Sequence, residues 1–491
     1  MPPSTVRLDA PTLYLVAQQL VYDFEIARCV EIPCVKHVLE FDPLLAARTA
    51  LCNLRLTCRY FADMAIIKSV LFDHITLRAT KDQLSRVLET SFATIGRFVT
   101  KVTFKPSLSS PQVTIEDFRR VKDMWTCQLR EAEPCDPADW NEIWHLYHGL
   151  GVKRSLGYGT VDAAYDFYTQ CATDDMEIVQ NGSLQRAWVK VLKTFSKASS
   201  FVIGNVPSFW PRWVHSGDFD DKYKSCAFCE SNTGILTEMS SFGEATLFGL
   251  VTGCLASAHM RIEDLALDCN VLRNAKLEDL QSSQLRWEHL TQLRFYEGPY
   301  SCCGPLAVFS GSDSDSIRCV DRLCSALVKG AQNSLQALSI ENAYCFQDVP
   351  VSWHTHLDMD LPALRSLNLT NATFPAQTLG RVLEKCHGLR YLGFEERSCS
   401  ENGVFKPLFD AIRQHPNPLR FHFKGCLATQ YNYCADLHFN WEDSRVVSEP
   451  IHESYPSSIH EDMRELHKSL GLYLASQGEW DDHLEYWFSN P

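Results

Sequence analysis

Two short motifs have the spacing of metal ligands, namely Cys226-Ala-Phe-Cys229 and His354-Thr-His356. A tetrahedral zinc site takes four Cys or His ligands, and no second C-x-x-C or H-x-x-x-H pair accompanies the two cysteines. The two histidines stand beside aspartates in a polar stretch, which favours a surface cluster. We therefore predict reduced cysteines near a turn and no metal, with a zinc site as the alternative.

The sequence motifs for nucleotide binding and for covalent catalysis are also incomplete. The glycine pairs Gly149-Leu-Gly151 and Gly157-Tyr-Gly159 follow an aromatic stretch and lack the third glycine of a phosphate-binding loop. No Ser, His and Asp stand in a nucleophile-elbow context. These patterns predict a protein that is not an enzyme and has no cofactor, while a catalytic function within residues 110–195 stays as a minor alternative.

Composition and charge restrict the class of protein. The chain has 491 residues, of which 45% are hydrophobic and 22% charged, as expected of folded globular domains. Its net charge is −14, which disfavours a nucleic-acid partner. The charge is uneven, because residues 48–130 carry 14 Lys/Arg against 7 Asp/Glu, whereas residues 441–491 carry 11 Asp/Glu against 3 Lys/Arg. Two docking surfaces or two ordinary solvated surfaces would both produce this pattern.

The compartment is predicted from the cysteines and the amino terminus. The 20 cysteines are scattered without a repeating spacing, and the first residues show no apolar run behind a basic start. The uncharged stretch 246–258 is shorter than the roughly 20 residues that span a bilayer. We expect a cytoplasmic or nuclear protein with no membrane association.

The Ser310–Ser316 segment is interpreted as a flexible loop, with phosphorylation as the alternative.

The first secondary-structure elements that the sequence predicts are helices. Leu13, Val16, Ala17 and Leu20 follow the i, i+3, i+4, i+7 spacing of one helical stripe. Residues 44–72 show the pattern of a helical pair. Residues 1–72 are therefore predicted to form a small all-α module.

A second pattern is a short apolar strand that recurs along the chain. It is clearest at Glu263–Asp268, Leu290–Phe295, Leu335–Ile340, Leu364–Leu369, Leu389–Phe394 and Leu419–Phe423. Equivalent apolar positions at 265, 293, 338, 367, 392 and 421 are separated by 28, 45, 29, 25 and 29 residues. A period of about 20–29 residues with L-x-x-L-x-L strands is typical of leucine-rich repeats, in which each unit adds one strand and one return helix.

This period predicts the fold class and the domains. We expect an α/β leucine-rich-repeat solenoid, a curved parallel sheet with return helices, over residues 73–430. Return helices are predicted at 320–328, 378–385 and 405–413, and earlier strands at 74–77, 99–104 and 200–203. Residues 110–195 are predicted to form a helical insertion, and residues 431–491 a polar tail followed by a helix that caps the repeats.

The stretch Ala50-Leu-Cys-Asn-Leu-Arg-Leu-Thr-Cys-Arg-Tyr-Phe-Ala-Asp-Met-Ala65 resembles the second half of an F-box in fungal F-box/leucine-rich-repeat proteins, and Leu8–Leu20 resembles the first half. In that family the F-box docks on the Skp adaptor of a cullin ubiquitin ligase, and the repeats select the target protein. The resemblance implies adaptor contacts from Leu8, Leu13, Val16, Leu20, Leu51, Leu54, Leu56, Cys58 and Phe61. A generic pair of amphipathic helices opening a repeat domain is the alternative.

Alternation along each strand assigns a second binding surface. Because side chains alternate between the two faces of a strand, the residues between the leucines are predicted to lie on the exposed concave face. These are Gln292, Arg294, Tyr296, Ser339, Glu341, Ser366, Asn368, Thr370, Tyr391, Glu395, Arg420, His422 and Lys424. An ordinary solvated sheet face is the alternative.

Together these expectations describe a non-catalytic, substrate-recruiting subunit of an SCF-type ubiquitin ligase. It would bind the Skp adaptor through the F-box-like module and an unidentified target protein through the repeat face. The alternative is a leucine-rich-repeat scaffold for protein interactions that does not engage a ubiquitin ligase.

Overall fold

The computed structural model divides the chain into two compact units. The first comprises Met1–Met260 and Gly298–Gly311, and the second comprises Arg261–Glu297 and Ser312–Pro491. The division lies inside the predicted repeat domain 73–430 and not at residue 72. The described residues are 10–29, 43–57, 59–106, 114–116, 161–204, 241–242, 244–272, 275–282, 285–296, 314–341, 360–370, 373–374, 376–395, 399–400, 405–417, 419–424, 437–440, 445–448 and 457–489.

The first unit opens with four helices and continues as strands alternating with helices. Its elements are α1 (Ala10–Cys29), α2 (Pro43–Thr57), α3 (Arg59–Asp63), α4 (Ala65–Leu71), β1 (His74–Arg78), α5 (Lys81–Glu89), β2 (Lys101–Lys105), α6 (Val161–Gln180), α7 (Ser183–Leu192), β3 (Ser200–Ile203), β4 (Ser241–Phe242), β5 (Ala245–Thr246) and α8 (Leu247–Ser257). The strands predicted at 74–77, 99–104 and 200–203 are thus confirmed. The described part of 110–195 includes the two helices α6 and α7.

Strands β1, β2 and β3 pair in parallel in that order. Successive side chains of a strand point to opposite faces of the sheet, so Val102 and Phe104 lie on the same face. Both are buried in the apolar core. The Phe104 ring lies 5.2 Å from the ring of Trp188 in α7, and both side chains are fully buried. The apolar side of this small sheet is therefore covered by helices.

The helices of the first unit begin at residues suited to capping. The hydroxyl of Thr80 accepts a hydrogen bond from the Gln83 amide at 3.3 Å at the start of α5. The hydroxyl of Thr246 accepts one from the Gly249 amide at 2.9 Å at the start of α8. Each hydroxyl satisfies an amide that has no partner within the first turn of its helix.

In the second unit, strands alternate with helices along most of the chain. Its elements are β6 (Asp264–Asp268), α9 (Cys269–Leu272), α10 (Leu277–Ser282), β7 (Gln292–Tyr296), α11 (Ser314–Gly330), β8 (Ala337–Glu341), β9 (Ser366–Thr370), β10 (Thr373–Phe374), α12 (Ala376–Lys385), β11 (Tyr391–Glu395), β12 (Cys399–Ser400), α13 (Lys406–Gln414), β13 (Arg420–Lys424), β14 (Leu437–Asn440), β15 (Arg445–Ser448), α14 (Ser457–Leu474) and α15 (Asp482–Ser489). The predicted return helices at 320–328 and 378–385 lie within α11 and α12, and the one at 405–413 begins one residue before α13.

Eight of these strands form a sheet in the order β6, β7, β8, β9, β11, β13, β14 and β15. The first six pair in parallel, whereas β14 pairs antiparallel with β13 and β15. An α/β fold with a parallel sheet is therefore confirmed. The antiparallel strands β14 and β15 lie within residues 431–491, where the sequence analysis predicted a polar tail. They extend the sheet past its last parallel strand.

The register of the parallel strands aligns the apolar positions that the spacing singled out. Leu265 pairs with Leu293, and that row continues through Leu338, Leu367, Leu392 and Phe421. The five leucines of this row are each at most 1% exposed. A row of equivalent side chains across neighbouring strands builds one continuous core layer.

Helix α14, predicted as a capping helix, packs against α13, β15 and α15. Its Leu466, Leu470 and Tyr473 are buried.

Among the described residues no helix has both the length and the apolar character needed to span a bilayer.

Candidate functional site

The first candidate surface is the outer side of helices α1, α2 and α3. Helix α1 packs against α2, and α2 packs against α3 and α4. The buried side of α1 includes Ala17 and Val21, which stand four residues apart on one stripe. Leu15 and Tyr22, seven residues apart, lie on the opposite side and are 63% and 57% exposed. The same helix therefore has an apolar inner side and a second apolar stripe on its outer side.

Helix α2 shows the same division. Leu51 is fully buried, whereas Leu56 is 82% exposed. Five residues correspond to about 140° around a helix, so the two side chains lie on opposite sides of α2. Burying a leucine side chain is worth roughly 1.5–3 kcal/mol, and Leu56 does not gain this within the first unit. Among the large apolar residues that the structure describes, Leu56 has the highest exposed fraction.

An open groove of about 430 Å³ lies along α3 and is lined by Arg59, Tyr60, Asp63 and Met64. Tyr60 is 43% exposed, and the Asp63 carboxylate pairs with the Lys68 ammonium at 3.0 Å. The groove thus combines an aromatic ring, a thioether and charges of both signs. Tyrosine, methionine and arginine are enriched at protein interfaces, whereas aspartate is depleted there.

The nine residues implied by the F-box resemblance fall into four groups. Val16 and Leu56 are exposed; Leu13, Leu20 and Leu54 are partly buried; Leu51 and Phe61 are buried; Leu8 and Cys58 lie outside the described residues. Leu51 and Phe61 can therefore support an adaptor surface only as core residues, because packing between helices already covers them. The sequence analysis missed Tyr14, Leu15, Tyr22 and Tyr60, which are exposed on the same helices. The seven-residue spacing of Leu15 and Tyr22 was the signal that could have found two of them.

The second candidate surface is the polar side of the sheet in the second unit. Arg294, Ser339, Asn368 and Gly393 follow one another in register across β7, β8, β9 and β11. Arg294 is held by Asp264, whose two carboxylate oxygens each lie 3.4 Å from its Nη2 atom, and by Gln292 at 3.3 Å. Gly393 has no side chain, and the space that one would need is occupied by Oδ1 of Asn368 and by the Tyr391 hydroxyl.

The predicted concave-face residues divide by burial. Gln292 and Arg420 are exposed, while Arg294, Ser339, Glu341, Ser366, Asn368 and Tyr391 are partly buried. Tyr296 and Thr370 are 0% and 5% exposed, so their prediction as exposed residues is wrong. Alternation assigns a side chain to one face of a strand, but it does not predict whether other parts of the chain cover the last residue of that strand. The side chains of Glu395, His422 and Lys424 lie outside the described part of the structure.

The chemistry considered in the sequence adds no third site in the described residues. Cys226, Cys229, His354, His356 and the segment 149–159 lie outside them. No group of three or more His, Cys, Asp or Glu side chains suited to a metal occurs within the described ranges. Burial raises the pKa of the Cys254 thiol to about 12 and that of Cys386 to about 11, so both thiols are protonated at neutral pH. A protonated, buried thiol is a poor nucleophile.

Comparison of the sequence with protein-family models and with curated proteins finds no match in either.

Proposed function

We propose that this chain is a non-catalytic, substrate-recruiting subunit of an SCF-type cullin ubiquitin ligase. In this proposal the helical module, residues 1–72, binds the Skp adaptor, and the polar sheet face of the second unit binds a target protein. The observation that carries the proposal is the set of large apolar side chains that α1, α2 and α3 leave exposed. Its exposed members are Tyr14, Leu15, Val16, Tyr22, Leu56 and Tyr60.

The energetics of this set favour a protein partner. Nine large apolar side chains are exposed among the described residues, and six of them belong to these three helices. Exposed apolar groups concentrated on one small module are typical of interaction surfaces. Tyrosines at such surfaces contribute contact area together with a hydroxyl that can remain hydrated. A partner that covered Leu56 alone would remove most of an exposed leucine side chain from water.

The second part of the proposal is a leucine-rich-repeat solenoid that presents the target-binding face. Support comes from the buried row that includes Leu265, Leu293 and Leu338, because each strand of such a repeat hides its leucines against the next unit. Polar side chains then remain on the other face. Arg294 and Tyr391 are side-chain types enriched at interface hot spots.

With two binding surfaces on one chain, the role is to raise the local concentration of the target near a ubiquitin-charged enzyme. Tethering converts the second encounter into an intramolecular one with an effective concentration in the millimolar range. No catalytic group is needed for this function.

The experiment is co-purification of the full chain with a recombinant Skp adaptor at micromolar concentration. The wild type is expected to form a stoichiometric complex, and Leu56→Glu is expected to weaken it at least tenfold. Leu56 is exposed, so its replacement should leave the thermal midpoint of unfolding nearly unchanged.

Leu88→Glu is the matched control, since Leu88 is 61% exposed on α5, outside the module. It places the same charge on a similarly exposed leucine and is expected to leave adaptor binding unchanged. Failure of the wild type to bind adaptor would instead favour a repeat scaffold that does not engage a ubiquitin ligase. Equal losses in both variants would show that added charge, and not the α1–α3 surface, lowers the affinity.

A further inference from the structure

A serine occupies an unusual backbone position where α14 ends. The Gln477 amide donates to the Leu472 carbonyl at 2.9 Å, and the Ser476 amide donates to the Tyr473 carbonyl at 3.0 Å. This pair of hydrogen bonds defines a Schellman motif, whose left-handed residue is usually glycine. Ser476 has a φ of 59°, so a residue with a Cβ atom is held in the left-handed region.

The Ser476 side chain is exposed and already contacts a cation. The Arg413 guanidinium on α13 donates from Nε to the Ser476 hydroxyl at 3.0 Å. The same guanidinium lies 4.7 Å from the centre of the Tyr473 ring, which positions it against α14. A serine hydroxyl is thus presented to solvent with a fixed guanidinium beside it.

The residues after the turn are acidic. Glu479, Asp481 and Asp482 follow Ser476 at the third, fifth and sixth positions. An exposed serine followed by carboxylates is the substrate pattern of acid-directed protein kinases, whose basic clefts complement such a segment. The exposed turn, the adjacent guanidinium and the acidic flank coincide at Ser476.

We propose that Ser476 is a phosphorylation site for an acid-directed protein kinase, and that the phosphate binds Arg413 and fastens α14 to α13. In this step the γ-phosphoryl group of ATP passes to the serine Oγ atom. The Oγ–H bond breaks and an Oγ–P bond forms, the proton goes to solvent through the base of the kinase, and ADP leaves.

Phosphorylation strengthens a contact that already exists. A neutral hydroxyl that accepts one hydrogen bond is replaced by three anionic oxygens facing a guanidinium, and such charge-assisted bonds are about twice as strong as neutral ones. The nearest carboxylate on α13 is that of Asp410, which pairs with the Lys406 ammonium at 2.9 Å and accepts from the Tyr473 hydroxyl. Its charge is therefore already compensated.

The first test treats the full chain with ATP and a purified acid-directed serine/threonine kinase, and then maps phosphate by peptide mass spectrometry. Phosphate is expected on Ser476 and to be absent from that peptide in Ser476→Ala. Ser85 is the matched control, because it is also an exposed serine but is followed by leucine at the third position. Absence of phosphate at Ser476 overturns the proposal.

The second test measures amide hydrogen exchange in α14 before and after phosphorylation. Exchange is expected to slow by about tenfold in the wild type, as one charge-assisted hydrogen bond predicts, and to be unchanged in Arg413→Gln. Each comparison is made between the two forms of the same variant, so any loosening by the substitution itself cancels. Unchanged exchange in the wild type, or equal slowing in Arg413→Gln, overturns the proposal.

Discussion

Asp175 caps a helix that begins 94 residues before it in the chain. Its carboxylate oxygen Oδ1 accepts a hydrogen bond from the backbone amide of Lys81 at 2.7 Å, at the first residue of α5. Asp175 is 4% exposed and lies on α6. Thr80 caps a second amide of the same turn. A buried carboxylate on a helix N-terminus satisfies an amide and also interacts favourably with the helix dipole.

We expect Asp175→Ala to lower the free energy of unfolding by about 1–3 kcal/mol, because it leaves the part-buried Lys81 amide without this acceptor. Asp174→Ala is the matched control. The Asp174 carboxylate pairs with the Lys81 ammonium at 3.1 Å, but the Lys81 side chain is 54% exposed, so its loss should cost less than about 1 kcal/mol. Urea denaturation of the two variants measures the difference. Equal losses would contradict the assigned cap.

Gly393 on the polar sheet face leaves no space for a side chain. A Cβ atom there would overlap Oδ1 of Asn368 and lie 2.9 Å from the Tyr391 hydroxyl. We expect Gly393→Ala to destabilise the protein by about 1–3 kcal/mol, as overpacking does. In the Asn368→Ala background the loss should be smaller, since the nearest obstacle is removed, and a double-mutant cycle measures this coupling.

Gly253 supplies the control of opposite sign. It lies inside α8, where an added Cβ would be 3.5 Å from the Gln185 side chain, an ordinary contact distance. Gly253→Ala should leave stability unchanged or raise it by up to about 1 kcal/mol, because alanine favours the helix. Similar destabilisation at Gly253 and Gly393 would show that close packing around Gly393 is not the cause.

The contact between α13 and α14 should weaken at alkaline pH. Burial, and then the hydrogen bond to Asp410, raise the pKa of Tyr473 above its usual value, and the hydrogen bond to Asp410 raises the pKa of Lys406. A group whose pKa is higher in the folded state holds its proton more tightly there. Its contribution is complete below the unfolded pKa of about 10 and is lost as pH rises through the folded value.

The thermal midpoint of the wild type should therefore fall as pH rises above about 10, and it should fall less steeply in Tyr473→Phe. Both proteins keep the buried thiols, so the difference between the two curves reports Tyr473. Parallel curves from pH 8 to 11.5 would contradict the role given to its hydroxyl.

Thiol reactivity should follow burial. We expect iodoacetamide at pH 8 to modify Cys52 and Cys171, which are partly buried, at least tenfold faster than Cys254 and Cys386. Burial raises the pKa of the thiols of Cys254 and Cys386. Burial also keeps the reagent away from these two thiols. Peptide mapping of the folded protein measures the rates, and a guanidinium-unfolded sample should make all four react alike. Fast modification of Cys254 in the folded chain would contradict its position in the core.

The spacing of apolar residues predicted much of the second unit. The positions 265, 293, 338, 367, 392 and 421, chosen by counting, lie in register in the sheet. The prediction worked because repetition of a strand and its return helix is a local property, visible within about 30 residues. The same locality explains why the helices within 320–328, 378–385 and 405–413 were found.

Predictions for individual site residues were less accurate. Leu51 and Leu56 both match the resemblance, yet one is in the core and the other is exposed. Tyr296 and Thr370 have the alternation of exposed residues but are buried. Spacing assigns a residue to one side of its own helix or strand, whereas burial depends on which other elements pack against that side.

By itself, the sequence determined the alternation of strands and helices and the rows of leucines that share a core. The tertiary structure decided which side chains remain exposed, that β14 and β15 turn antiparallel, and that Asp175 meets Lys81 and Arg413 meets Ser476. The physical reason is distance along the chain. Periodic patterns record interactions between neighbours, while these contacts join residues 94 and 63 positions apart, and only folding brings such residues together.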